Sequence, residues 1–359
     1  MIITSPTVST TIVWQRAGEG NEPVVTVVLQ NRDITVELTN IGCAITAIYT
    51  PDKHQITKNI VAGFANWESY TINKDYLGCV VGRYANRIGN GTFNLNGQTY
   101  QLTVNDAPNH LHGGWNGFSR KIWQLARTIE NENECGVVFT YASPDGEEGY
   151  PGNVLATVQY MLNDKSQLHI DYRAVTDKST PINFTNHSYF NLTGFERPDI
   201  LDHHLQIVAD EYTEKSAGNT PTGAMVSVYN TALNFTNPRL IGSGINCFPN
   251  DMGYDHNFIL SRGVGKRIIK AAVLSEETTG RMLTVYTNKP AIQLYTANHW
   301  DGAIIGPQGV AYQKHGAVAL ETQSWPDSVN HRNFPNTILH PGEEYTYSTI
   351  FEFGVMGLR

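Results

Sequence analysis

The sequence predicts an all-β fold, a large antiparallel β-sandwich, from three observations. Apolar residues recur with a period of two in short runs rich in β-branched and aromatic side chains, as half-buried strands require. The 32 glycines and a charged fraction of only 16% in 359 residues suit many short strands joined by tight turns. Stretches with a helical period are nearly absent. Two sheets that pack their alternating inner faces together would bury such strands.

The individual elements follow from the same pattern. Alternating apolar runs predict strands over residues 24–29, 34–38, 137–141, 154–162, 168–175 and 282–286. Residues 93–100 predict a hairpin, because Asn96-Gly97 is a preferred pair in two-residue turns with positive φ angles. Residues 66–76 are the one stretch in which we expect a short helical turn or two.

Chain organisation and charge limit the classes of partner. No proline- or serine-rich linker, internal repeat or low-complexity segment divides the chain, so we expect one domain over residues 1–359. A net charge of −8 argues against nucleic acid and anionic membranes as partners. No apolar run approaches the length of a membrane span. A neutral small molecule is the partner that this composition favours.

Three features favour the cytoplasm. Residues 1–10 lack the basic segment and the apolar core of a secretory signal. The cysteines show no C-x-x-C spacing, so we expect free thiols at Cys43, Cys79, Cys135 and Cys247. Three glycosylation sequons, at Asn183, Asn186 and Asn191, surround a candidate catalytic histidine, where a glycan would obstruct chemistry. A bacterial export route, which would not glycosylate these sites, stays open.

Glu321 is the first candidate for chemistry, because it ends an apolar run and is followed by tight-turn residues. An apolar pocket would raise the pKa of such a carboxyl toward the range in which a general base works near neutral pH. A single glutamate at a strand end is more often solvated or salt-bridged. The functional interpretation therefore depends on which imidazoles and acids the fold brings to it.

The pair His110 and His112 supplies two imidazoles that would face the same side of an extended segment. The glycines of Gly113-Gly114 let the backbone turn directly afterwards. With His187 and Glu321, the pair could equally form a metal site of three nitrogens and an oxygen. Structural histidines are the alternative to both interpretations.

His187 lies in a strand-like segment with Asn186 and Asn191, whose amides can orient an imidazole or meet a hydroxyl group. A buried structural histidine is the alternative here too. No role is expected for the remaining histidines, which are His54, His169, His203, His204, His299, His315, His331 and His340.

Two further segments carry side chains that could hold hydroxyl groups of a polyol. Asn86 and Arg87 together offer an amide and a fixed fork of guanidinium donors, and Arg83 lies four residues earlier. An ion pair is the alternative for either arginine. Asp255 follows Gly253-Tyr254 in a segment that we expect to be irregular, where it could accept hydrogen bonds from hydroxyl groups or cap a turn.

Seven blocks of this sequence together resemble the aldose 1-epimerase family. They occur in the family's order between about residue 78 and residue 330. One short motif could occur by chance, but seven blocks in the same order could not. The blocks are Gly82-Arg-Tyr-Ala-Asn-Arg-Ile88, Asn109-His-Leu-His-Gly-Gly114, Asp145-Gly-Glu-Glu-Gly-Tyr-Pro-Gly152, Asn183-Phe-Thr-Asn-His-Ser-Tyr-Phe-Asn-Leu192, Gly253-Tyr-Asp-His-Asn-Phe258, Gln293-Leu-Tyr-Thr-Ala-Asn298 and Val318-Ala-Leu-Glu-Thr-Gln-Ser-Trp-Pro-Asp-Ser-Val-Asn330. The part before about residue 60 resembles the family only in pattern.

The resemblance implies a galactose mutarotase-like supersandwich, with a sugar site in a cleft on one open sheet face. The implied activity is interconversion of the α and β anomers of free hexoses such as galactose and glucose. The ring opens and recloses by proton transfer, so the resemblance implies neither a metal nor a cofactor.

The resemblance also implies roles for individual residues. Glu321 matches the general base that takes the C1 hydroxyl proton, and His187 matches the general acid that protonates the ring oxygen. His112 matches a second histidine near that oxygen. Hydroxyl-binding and supporting roles are implied for Arg87, Asp255, Asn86 and Gln293.

Two alternatives from other classes remain open at this point. One is a carbohydrate-binding protein of the same fold without turnover, which the intact Glu321 and His187 argue against. The other is a metal-dependent β enzyme that uses the pair His110 and His112.

Two residues depart from the family's pattern, Ala297 where glycine is common and Asn234 where aspartate is frequent. Both lie outside the acid and base residues, so we expect them to affect sugar preference or loop shape more than catalysis. No cluster of lysine or arginine near the motifs offers a phosphate clamp, which favours free aldoses. The sequence leaves open whether the chain is a monomer or a homodimer.

Overall fold

The structure is a computed structural model that describes residues 8–15, 23–260 and 267–357. These residues form 28 β-strands and seven 3₁₀ helices of three to five residues. The predicted all-β class is therefore confirmed. None of the helices in the described ranges is long and apolar enough to cross a membrane. Residues 1–7, which begin the segment judged to lack a secretory signal, lie outside the described residues.

The strands are, in chain order, β1 (Val8–Gln15), β2 (Val24–Asn31), β3 (Thr35–Thr39), β4 (Ile45–Pro51), β5 (Thr57–Asn59), β6 (Val80–Val81), β7 (Arg87–Ile88), β8 (Thr92–Leu95), β9 (Gln98–Gln101), β10 (His110–Leu111), β11 (Gln124–Glu130), β12 (Glu134–Ser143), β13 (Val154–Asn163), β14 (Gln167–Thr176), β15 (Thr180–Pro181), β16 (Thr185–Asn186), β17 (Tyr189–Phe190), β18 (His204–Ile207), β19 (Glu211–Lys215), β20 (Pro221–Ser227), β21 (Arg239–Leu240), β22 (Asp255–Ile259), β23 (Ile269–Ser275), β24 (Arg281–Thr287), β25 (Ala291–Tyr295), β26 (Val318–Gln323), β27 (Ile338–Leu339) and β28 (Tyr345–Val355). The 3₁₀ helices are Glu68–Ile72, Gly89–Gly91, Phe118–Arg120, Glu147–Gly149, Ile241–Ser243, Ile245–Cys247 and Ser328–Asn330.

Three larger antiparallel sheets organise these strands. The nine-stranded sheet has the order β11-β12-β13-β14-β28-β24-β23-β18-β21, and the six-stranded sheet has the order β17-β26-β25-β22-β19-β20. An N-terminal five-stranded sheet, β1 to β5, adds to the two layers that the sequence predicted. Each predicted strand overlaps a strand of these sheets, namely β2, β3, β12, β13, β14 and β24. The predicted helical stretch, residues 66–76, contains the 3₁₀ helix Glu68–Ile72.

The predicted hairpin is also confirmed. Its two strands, β8 and β9, pair in antiparallel register around Asn96 and Gly97. Both turn residues have positive φ angles, 53° and 79°, as a type I′ turn requires.

The main hydrophobic core packs against one face of the six-stranded sheet. Leu320 of β26, Ile292 of β25 and Phe258 of β22 point into the core, together with Ile170 of β14 and Phe351 of β28. Because side chains alternate along a strand, the odd-numbered residues of β22, β25 and β26 share the opposite face. That face carries the polar motif residues.

Candidate active site

Three neighbouring strands place the predicted base among polar side chains. Glu321 of β26 lies opposite Gln293 of β25, and Gln293 lies opposite Asn257 of β22. Asp255 precedes Asn257 by two residues and therefore shares its face. The expectation that Asp255 lies in an irregular segment is wrong, because the ladder between β22 and β25 extends to the pair Asp255 and Tyr295.

One cavity of about 270 Å³ on this face brings together all the residues with an implied role. They are Asn86, Arg87, His112, His187, Asp255, Gln293 and Glu321. They come from β7, β22, β25 and β26, from the position directly before β7, and from the positions directly after β10 and β16. A larger cavity, about 590 Å³ beside β28, contains none of them.

Arg87 lies between two carboxylates. Its Nε donates a hydrogen bond to Asp106 Oδ2 at 2.7 Å, and its Nη1 lies 3.9 Å from Asp255 Oδ2. Burial acts to raise the pKa of Asp255, but the charge of Arg87, supported by Lys215, outweighs it and holds that pKa below its ordinary value. Asp255 is therefore an ionised acceptor at neutral pH.

Glu321 is almost completely buried, with 2% of its surface exposed. Burial raises its pKa well above the ordinary value, and the negative charge of Asp255 adds to the effect while Arg87 opposes it. Its Oε2 has no hydrogen-bond partner within the described ranges. The carboxyl group thus keeps one oxygen free for a ligand.

His187 faces Glu321, with Nε2 at 3.5 Å from Oε1. Its ring lies between those of Tyr76 and Tyr189, at centroid distances of 6.0 and 4.7 Å. Burial lowers the pKa of His187 to about 4. The separation would allow an ion pair, but burial of both groups favours a neutral imidazole beside a protonated carboxyl. Between the lowered pKa of His187 and the raised pKa of Glu321, the pair therefore holds one proton.

His112 is fixed by the backbone of Asn86. The Asn86 N–H donates to His112 Nδ1 at 3.2 Å, and the His112 backbone N–H donates to the Asn86 carbonyl at 3.2 Å. Burial lowers the pKa of His112 well below its ordinary value, and the neighbouring His187 lowers it further by a smaller amount. A neutral imidazole that accepts at Nδ1 must carry its proton on Nε2. His112 therefore offers a neutral N–H donor.

This tautomer disfavours the metal-site alternative. Side-chain atoms of His112, His187 and Glu321 that could coordinate a metal do lie within 4.8 Å of one another. A metal on His112 Nε2 would move the proton to Nδ1, where it would face the Asn86 N–H, so these residues fit a metal poorly.

The expectation that His110 and His112 point the same way is wrong, because His112 has a φ of 52° and the segment is not extended there. His110 uses both ring nitrogens elsewhere, with Thr103 O at 2.6 Å and Tyr150 Oη at 2.7 Å.

Arg83 is a structural residue. Its guanidinium bonds Ser143 Oγ and the carbonyls of Ser143, Pro144 and Pro151. It therefore holds the block at 145–152 in place and does not line the sugar-sized cavity.

The structure adds cavity residues that sequence reasoning missed, namely Lys74, Asp75, Tyr76, Asp106, Leu111, Tyr189, Tyr295 and His299. His299 is among the histidines for which no role was expected. Asp106 and Tyr76 lie shortly before recognised blocks, which is the only signal in the sequence that could have pointed to them. Neither Ala297 nor Asn234 lines this cavity.

Comparisons with known proteins agree with this geometry. A family model described as aldose 1-epimerase matches residues 25–352. The galactose mutarotase of Bos taurus is 43% identical over 327 residues, covering 91% of this chain and 93% of that protein. The aldose 1-epimerase of Escherichia coli K12 is 37% identical over 330 residues, covering 90% and 93%. The solved structure of galactose 1-epimerase from Lactobacillus acidophilus has a TM-score of 0.85 at 29% identity and covers 97% and 99%. The chain belongs to the aldose 1-epimerase family and is an isomerase that interconverts the anomers of aldose sugars.

Proposed function

We propose that Glu321 is the general base and His187 the general acid of this reaction, acting on free hexoses. The observation that carries the proposal is the 3.5 Å separation of Glu321 Oε1 and His187 Nε2, two residues that both line the cavity. The C1 hydroxyl oxygen and the ring oxygen are bonded to the same carbon, so the base and the acid that serve them must also be close together.

The proton transfers are balanced without any further reactant. Glu321 takes the C1 hydroxyl proton, the bond between C1 and the ring oxygen breaks, and His187 protonates the ring oxygen. Rotation about C1–C2 turns the aldehyde. Reclosure returns a proton from Glu321 to the carbonyl oxygen while His187 takes back its own, which gives the other anomer.

The shared proton explains how buried groups can act as base and acid. Before sugar binds, burial favours the proton on Glu321. A sugar hydroxyl that donates to Glu321 favours the carboxylate, and a ring oxygen that accepts from His187 favours the imidazolium. Binding therefore moves the proton to His187 and prepares both groups for the reaction.

The other residues hold the ring. His112 donates from Nε2–H to the ring oxygen, where negative charge develops. Arg87 and Asp255 provide a donor fork and an acceptor for hydroxyl groups. Asn86 contributes its side-chain amide, while Gln293 supports Asp255 through a hydrogen bond of 2.5 Å.

We also propose that the substrates are galactose and glucose and that the protein is cytoplasmic. The relatives named galactose mutarotase support the first choice. Cys43, Cys79, Cys135 and Cys247 are free thiols, which suits a reducing compartment. The sequon asparagines at 183, 186 and 191 are buried.

The test is polarimetry of freshly dissolved α-D-galactose and α-D-glucose with purified protein. The wild type should speed the loss of rotation, and Glu321→Gln should bind sugar but lose about 10²–10⁴-fold in rate, because the amide keeps the shape and removes the base. The control is Glu68→Gln, an exposed residue outside the cavity. If the Glu321→Gln variant retained more than about a tenth of the rate, against the loss expected for a positioned base, Glu321 would be excluded as the base.

A further inference from the structure

A buried amide chain lies beside the sugar site on the same face of the six-stranded sheet. Gln323 follows Glu321 by two residues on β26 and is 0% exposed. Its Nε2 lies 3.3 Å from Asn257 Oδ1 and 3.4 Å from Gln293 Oε1. The proposed proton transfers give Gln323 no role, and it does not line the cavity.

The amide chain consists of Gln293, Gln323 and Asn257. The charge of Asp255 sets the direction of every hydrogen bond in this amide chain. An ionised carboxylate can only accept, so Gln293 must present Nε2 to Asp255. Gln293 Oε1 then faces Gln323, which must present its own Nε2. If the side-chain amide of Gln323 were rotated by about 180°, its Oε1 would face Gln293 Oε1 and Asn257 Oδ1.

The second branch ends on a hydroxyl group. Because Asn257 Oδ1 accepts from Gln323, Asn257 Nδ2 points away and donates to Thr213 Oγ1 at 3.2 Å. Asn257, Gln293 and Thr213 are each at most 5% exposed. Water therefore has little access to replace a lost donor, and Gln323 is the common donor of both branches.

We propose that Gln323 is a positioning residue for sugar binding, which sets the orientation of the Gln293 amide and through it the acceptor geometry of Asp255. The inference rests on the hydroxyl-binding role proposed above for Asp255. Gln323 touches no sugar atom in this scheme. Its effect reaches the sugar through Gln293 and Asp255.

The test compares Gln323→Met with a matched variant on the same strand. Methionine keeps the length of the side chain and removes both N–H donors. Thr322→Val is the control, because Thr322 points to the opposite face and pairs with Thr349 through a buried hydroxyl contact of 2.5 Å. Both variants lose a buried hydrogen bond of β26, but only the first belongs to the amide chain.

We expect Gln323→Met to raise KM for galactose and glucose about tenfold, with kcat within about threefold of wild type. The expected size is that of the hydrogen bond from Gln293 to the charged Asp255, which the variant no longer holds in place. Thr322→Val should leave KM unchanged. Gln323→Glu, whose carboxyl can donate at most one proton, should give an intermediate KM and serves as the second variant if the methionine variant does not fold.

The pH dependence of KM separates positioning from a loss of stability. The hydrogen bond from Gln293 is one of the contacts that lower the pKa of Asp255. Without it, Asp255 takes up a proton at a higher pH, so the rise of KM on acidification should begin at a higher pH in Gln323→Met than in wild type. Other charged or titratable groups face Asp255 and are unchanged in this variant, namely Arg87, Lys215, His256, Glu321, His187 and Tyr295.

The outcomes are distinguishable. If Gln323→Met and Gln323→Glu both kept the wild-type KM and pH profile, the positioning role would be wrong. A fall in kcat at unchanged KM would also overturn it, because the side chain would then act on the transition state. Asp255→Asn is measured in parallel. If it left KM unchanged, the proposed role of Asp255 would fail instead.

Discussion

At the scale of single residues, burial determines what the site can do. An exposed imidazole titrates at about 6.5, but burial lowers the pKa of His187 to about 4. Burial moves the pKa of Glu321 in the opposite direction. Between these two pKa values the two groups therefore share one proton, and that state contains one base and one acid.

This state predicts a bell-shaped dependence of kcat/KM on pH. As pH falls through about 4, His187 takes up a second proton while Glu321 is still protonated, so no base remains and the rate falls. As pH rises through the elevated pKa of Glu321, the pair loses its only proton and no acid remains. Polarimetric rates over the range of pH check both limbs.

Variants of the two histidines test their separate roles. His187→Asn should lower kcat by about 10²–10⁴-fold, because proton transfer occurs only in the transition state. It should also remove the limb at high pH, because the variant has no acid left to lose its proton. His112→Asn should cost less in kcat, raise KM and keep the limb, since its neutral N–H only holds and polarises the oxygen. The reverse pattern would require an exchange of the two assignments.

At the scale of elements, turns with positive φ place the site residues. Asn86 has a φ of 64° and His112 a φ of 52°, which lets the two residues exchange two hydrogen bonds. Ala297 has a φ of 47°, a conformation that glycine adopts most easily. The glycine that the resemblance leads us to expect at this position would adopt the same conformation with less strain. Because Ala297 does not line the cavity, the departure lies in a loop and leaves the acid and base intact.

Gly113→Ala should disrupt the turn that carries His112. Gly113 has a φ of +83°, and a Cβ there would lie 1.9 Å from the Gly82 carbonyl oxygen. Gly146 is a matched control, with a φ of +85° and nothing within 4 Å of an added Cβ.

We expect Gly146→Ala to cost about 1–2 kcal/mol in the free energy of unfolding, the usual cost of the left-handed backbone. Gly113→Ala should cost more and should also lower activity as His112 shifts. Urea unfolding and polarimetry measure the two effects. Equal losses of stability in the two variants would contradict the role assigned to the close contact at Gly113.

At the scale of the whole molecule, we propose that the chain forms one domain. A single hydrophobic cluster includes Val25 of β2, Phe139 of β12, Leu320 of β26 and Phe353 of β28. It therefore draws on all three larger sheets. No large sheet can leave this cluster without exposing apolar surface of the others.

Thermal unfolding should accordingly show one transition. Far-UV circular dichroism, tyrosine and tryptophan fluorescence and enzymatic activity should be lost at the same temperature. Calorimetry provides the control, because the calorimetric and van't Hoff enthalpies should agree for one cooperative unit. Two resolved heat-absorption peaks would indicate two domains.

The sequence by itself determined the fold class, the strands at the alternating apolar runs and at one hairpin, and the seven motif residues that meet in the cavity. A period of two indicates which residues share a sheet face, so the core positions of the predicted strands could be assigned locally. Motif blocks then pointed to the correct segments even though they are far apart in the chain.

Only the tertiary structure decided between residues of the same type. Arg83 and Arg87 are equivalent as sequence, but distant carbonyls hold the first and two carboxylates hold the second. The tautomer of His112 depends on the backbone of Asn86. Hydrogen-bond partners and burial come from segments that are remote along the chain, and these contacts, which no local pattern encodes, set the protonation state and the direction of each functional group.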